Sequence, residues 1–153
     1  MADEENGREA PIPALAPAPE PPTPAIPEIV VPAENRPLRF SFKHLDTANR
    51  KFQLADCNAE FFRALVERIR DYSSWTVDDF CDQNNNEHRH VIHFPDTTEP
   101  NGFAGLGFDP DQLEYHEAWQ FELSPIEEWR VHGILIDDTF YIIWLDADHN
   151  LYP

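Results

Sequence analysis

From Trp129 to Pro153 the chain reads WRVHGILIDDTFYIIWLDADHNLYP. Trp129, Val131, Gly133 and Leu135 fall on one side of an extended backbone and Arg130, His132, Ile134 and Ile136 on the other, an alternation that predicts a strand. Phe140 to Leu145 is apolar at every position, which predicts a central strand covered above and below. Asp137-Asp138-Thr139 supplies the turn between them, although without the Asn-Gly pair that secures the tightest hairpins. The stretch therefore predicts a closing antiparallel hairpin, with Arg130, His132, Asp146 and His149 set in or beside an otherwise apolar ribbon.

Working outward, Leu38 to Lys43 alternates as a half-buried strand, with Leu38, Phe40 and Phe42 on one side. Phe61, Phe62, Leu65, Val66, Ile69 and Tyr72 recur at three- and four-residue spacing and predict an amphipathic helix over 59–72, capped by Asp56 or Asn58. Thr76-Val77-Asp78-Asp79 resembles a capping box that opens a second, short helix through Cys81. The run DQNNNE at 82–87 stops it, because amide and carboxylate side chains compete for backbone groups. His88 to Phe94 reads as a strand, and Trp119, Phe121 and Leu123 alternate with Gln120 and Glu122 as another. Between them, 96–114 reads as a long loop pinned by Phe103, Leu106 and Phe108. Ser124-Pro125-Ile126-Glu127 has the cap, proline and glutamate of a single helical turn. Strands and helices in this order predict an α+β domain over 38–153: an antiparallel sheet of four to five strands with two helices packed on one face.

Ten of the fifteen prolines lie between Pro11 and Pro37. Fixed φ angles and missing N–H groups oppose helix and sheet alike, so residues 1–37 are expected to form a disordered, acidic, proline-rich arm. There is no long continuous apolar run and no basic, apolar leader, so the expectation is a soluble, cytoplasmic protein with no membrane partner. The two cysteines, Cys57 and Cys81, lack zinc or redox spacing and are expected to be reduced thiols. Net charge is −18, and from Arg36 onward 10 Lys or Arg stand against 22 Asp or Glu, a net −12. Such a field repels phosphate backbones and favours basic partners.

Phosphate-cradling glycine loops, HExxH and nucleophile elbows are absent; Gly102, Gly105 and Gly107 belong to a turn-rich loop. His88 and His90 share one strand face, and His132 shares its face with Arg130. One imidazole can take a proton while another gives it, and a guanidinium can hold a phosphate in its transition state, which suffices for metal-independent RNA cleavage. No cofactor is implied. A metal reading would use Asp146, Asp148 and His149 with His44 and Asp46, but too few ligands converge in the sequence to prefer it over Asx turn chemistry.

One strand, two helices and a closing antiparallel sheet, with Arg130 opening the penultimate strand, FYIIWL following, and Asp146, His149 and Tyr152 at the C-terminus, resembles the RelE/ParE toxin superfamily. The resemblance implies a toxin-like domain of a prokaryotic toxin–antitoxin or defence-related system. It would act as a ribonuclease on ribosome-linked RNA, with an antitoxin as protein partner, Arg130 steadying phosphate, and His132 and His149 as acid–base groups beside Asp146. The charge supports an alternative from another class: a non-catalytic acidic interaction protein that binds or inhibits a basic, nucleic-acid-binding partner.

Overall fold

The computed structural model describes residues 17–22, 31–82 and 88–153. Most of the arm expected over 1–37, and residues 83–87 of the helix-stopping run at 82–87, lie outside the described residues. The chain divides into a unit of Met1–Val30 and a unit of Val31–Pro153, and the elements below all belong to the second. Residues 31–37 fall within that unit: the Val77 N–H donates to the Arg36 carbonyl and the Leu38 N–H to the Trp75 carbonyl.

Five strands form one sheet: β1 (Arg39–Ser41), β2 (Arg89–Val91), β3 (Ala118–Glu122), β4 (Arg130–Ile136) and β5 (Thr139–Asp146), in the order β1-β5-β4-β3-β2. β2 to β5 pair antiparallel, whereas β1 runs parallel to β5, with Phe40 opposite Phe140. The sheet is thus α+β in class, as the element order predicts, but mixed at one edge. Helices α1 (Ala59–Tyr72) and α2 (Val77–Cys81) start where the sequence puts them. The Asn58 side chain accepts from the Phe61 N–H at 2.8 Å, and Thr76 and Asp79 close a reciprocal capping box, each satisfying donors that the first helical turn leaves open.

The apolar pattern explains which faces are buried. Phe61, Leu65 and Tyr72 of α1 and Phe80 of α2 pack with Trp119, Phe121, Val131, Phe140 and Ile142 on one face of the sheet. The α1 stripe is narrower than its spacing implies: Phe62 is exposed and Val66 is 66% exposed. Phe52, Ile92, Phe103, Ile134, Ile143, Trp144 and Leu151 form a second core on the opposite face, so β4 and β5 are covered on both sides. A bulge makes this possible. Register passes from His132↔Trp144 to Gly133↔Ile142, leaving Ile143 as the extra residue, so that Ile143 and Trp144, although consecutive, both enter the second core.

Two capping signatures have opposite outcomes. Within the expected loop, Asp109-Pro110-Asp111-Gln112 opens a helix, α3 (Pro110–Tyr115), with the Gln112 side chain accepting from the Asp109 N–H. Ser124-Pro125-Ile126-Glu127 forms only a turn, in which the Ser124 hydroxyl accepts from the Ile126 and Glu127 N–H groups. The difference is burial. Leu113 of α3 packs against the second core, whereas Ile126 is 88% exposed and has nothing to pack on.

Candidate functional site

The second face of the sheet carries polar side chains in register across four strands. Arg130 lies opposite Asp146 and Glu122, His132 lies opposite Trp144 and Gln120, and Gln120 lies opposite His90. Three of the four expected site residues, Arg130, His132 and Asp146, therefore share one face, and His149 follows in the loop after β5. What the structure changes is their exposure.

His132 and Asp146 are both 0% exposed. The Nε2 of His132 lies 3.0 Å from Oδ2 of Asp146, beneath the rings of Phe52 and Trp144. The same carboxylate accepts from the Asn150 N–H at 2.8 Å and the Leu151 N–H at 3.1 Å. It thereby bends the chain back over itself through His149, which adopts a left-handed backbone with φ of 56°. Leu151 is fully buried, and its carbonyl accepts from the Thr98 N–H. The pair is a latch: one imidazole and one carboxylate join β4, the C-terminal loop and the 96–114 segment.

Arg130 is spent in a comparable way. Its Nη2 is 3.3 Å from Glu122 and its Nη1 donates to the Glu127 and Trp129 carbonyls; Glu122 also pairs with His88. A guanidinium so engaged has little left to offer a phosphate. The His149 ring is partly exposed and stands beside Tyr152, with centroids 6.3 Å apart. Tyr152 in turn packs against His90, whose Nδ1 donates to the Val91 carbonyl and whose Nε2 accepts from Gln120 at 3.0 Å.

Burial pushes His132 below its ordinary pKa of 6.5; the Asp146 hydrogen bond opposes this, and the nearby His149 and His90 reinforce it. Burial alone would raise Asp146, but hydrogen bonds from His132, Asn150 and Leu151 bring it below 3.8. The ring is therefore neutral near pH 7, with its Nε2–H donated to the carboxylate and its Nδ1 buried without a partner. A general acid or base must reach the substrate proton, and this imidazole has no surface from which to do so. Both depressed values have the same sign in linkage: the unfolded chain binds protons that the folded chain refuses. Stability should be full above 6.5, decline as pH falls below 6.5 and decline again below 3.8. Urea-unfolding midpoints across that range test this, and His132→Gln should flatten the first decline. A midpoint that rises on acidification would contradict the assignment.

Among the described residues no group of three or more His, Cys, Asp and Glu side chains is arranged to hold a metal ion. Asp46, considered above as a ligand, accepts from Trp144 Nε1 at 3.0 Å and from the Ala48 N–H. His44 stacks on Phe108 and approaches the Leu106 carbonyl. His44 thus pins the 96–114 segment, and Asp46 ties its own turn to β5. Cys57 and Cys81 are free thiols, and burial, with Asp56, Asp148 and Asp146 adding to it, pushes Cys57 up to about 11, far from the range of reactive thiolates. No helix among the described residues is long and apolar enough to cross a membrane.

The sequence signal for a different surface is compositional. From His90 to Trp129 there are nine Asp or Glu and no Lys or Arg. Glu99 pairs with Lys51, Glu122 with Arg130 and Asp96 with His93, while Asp109, Asp111, Glu114 and Glu117 are exposed around α3. Comparison with protein-family models, curated proteins and solved structures finds no match to the chain.

Proposed function

We propose that the 31–153 unit is a non-catalytic acidic module that binds a basic partner protein, of the kind that itself binds nucleic acid. The observation that carries this reading is the 90–129 stretch, which places nine carboxylates on the chain without one lysine or arginine among them. Like charge on that scale raises the local concentration of cationic segments and repels phosphate. The burial of His132 and Asp146 and the engagement of Arg130 by Glu122 support it from the other side, because they leave three of the four expected nuclease groups occupied by the fold.

A dye-labelled lysine decapeptide, followed by fluorescence anisotropy, tests the reading. Binding should weaken roughly tenfold or more between about 50 and about 200 mM salt, since exposed charges are screened over a Debye length of about 10 Å at 0.1 M. RNA incubated with the protein, with and without ribosomes, should stay intact. Absence of peptide binding at low salt, or RNA cleavage lost in Arg130→Ala, would overturn the proposal in favour of the RelE/ParE-like ribonuclease.

A further inference from the structure

A cavity of about 320 Å³ opens on the second face, between β2, β3 and α3. Ile92, Phe103, Leu113 and Ile134 supply its apolar walls, and His116 and Glu117 stand among its polar lining. Its volume is at the small end for ligand pockets and suits one side chain better than a cofactor. The setting is one-sided in charge. Every lining residue except Ile134 lies between Val91 and Ala118, within the stretch that has no lysine or arginine. Asp109, Asp111, Glu114 and Glu117 are exposed on or beside α3, and Tyr115, at its end, is 76% exposed.

We infer that this cavity is the anchor site of the interaction surface: it takes one large aliphatic side chain from a lysine- or arginine-rich segment of the partner, whose flanking cations face the α3 carboxylates. The inference rests on the basic-partner reading and adds to it the location and the anchor. Charge selects the occupant. Anionic lipid and nucleic acid are both repelled by this rim, and a purely apolar segment would leave the carboxylates uncompensated. At protein interfaces one well-fitted anchor in a pocket outweighs many rim contacts.

Two nonapeptides test it on the full-length chain, one of eight lysines around a central leucine and one of eight lysines around a central serine. The leucine peptide should bind roughly tenfold tighter, the return expected for enclosing one aliphatic side chain. In methyl-labelled protein it should shift the Ile92, Leu113 and Ile134 resonances, which the serine peptide leaves in place. Leu113→Asn, which leaves the charge of the surface unaltered, should erase the difference between the two peptides; the methyl map on unaltered protein stands even if that variant folds poorly. Equal affinities, or shifts centred on Val66 of α1, would overturn the anchor site and leave the basic-partner reading intact. Failure of both peptides to bind would overturn both.

Discussion

Asp146→Ala is expected to destabilise the folded unit by about 3–5 kcal/mol, because each buried donor left without an acceptor costs about 1–3 kcal/mol. Three donors lose their acceptor at once: His132 Nε2, the Asn150 N–H and the Leu151 N–H. The damage should spread beyond β5, because Leu151 is the residue through which Thr98 is held. Asp146→Asn keeps an acceptor for the backbone donors and should lose less. Replacing both partners, His132→Phe with Asp146→Leu, should recover only the share due to the stranded imidazole, since the Asn150 and Leu151 N–H groups still lack their acceptor. Urea denaturation gives the energies, and hydrogen exchange at Thr98 and Leu151 reports the loosened loop. A loss below about 1 kcal/mol for Asp146→Ala would be typical of an exposed pair and would refute the latch.

Gly133→Ala should be as damaging for a different reason. An added Cβ would lie 2.2 Å from the Tyr141 carbonyl oxygen and 2.4 Å from the Phe140 ring. The nearest obstacle is backbone of the adjacent strand, beside the bulge, and cannot swing aside as a side-chain terminus can. Overpacking of a well-filled core commonly costs about 1–3 kcal/mol, and this contact should reach or exceed the upper end. Against a total of about 5–15 kcal/mol for a typical domain, soluble yield and thermal midpoint should both fall. A variant that melts with the parent protein would mean that β4 and β5 can separate at the bulge without penalty.

The elements most legible in the sequence were those whose periodicity and capping agree with their burial. Helix α1 begins after Asn58 and ends at Tyr72 because its cap, its stripe and a dipole-complementing arginine in its last turn, Arg70, coincide. The hairpin turn at Asp137-Asp138 forms without Asn-Gly because aspartate tolerates the left-handed φ of 55° that Asp137 adopts. Helix α3 escaped the reading that found Ser124-Pro125-Ile126-Glu127, although Asp109-Pro110-Asp111-Gln112 carries equivalent signals; only the second-face core distinguishes them. Parallel pairing of β1 was also out of reach, since alternation at 38–43 reports a buried face and says nothing of the neighbour's direction.

For the candidate site, strand alternation placed Arg130 and His132 on one face but could not report depth. Burial of that face depends on Phe52, Phe94 and Phe103, which arrive from distant segments to stack around Trp144. Gln120 and Glu122, which complete the polar row, stand in the sequence only as the positions that alternate with the apolar residues of β3. The absence of lysine and arginine between Arg89 and Arg130 was visible in the sequence throughout; averaging charge over the whole domain concealed it.

The most direct measurement is an amide NMR titration of the full-length chain with the lysine decapeptide at low and moderate salt. The account predicts salt-sensitive shifts concentrated in 96–117, with the amides around Arg130, His132 and Asp146 unmoved. Shifts centred on those three residues, or no shifts at any salt concentration, would contradict it.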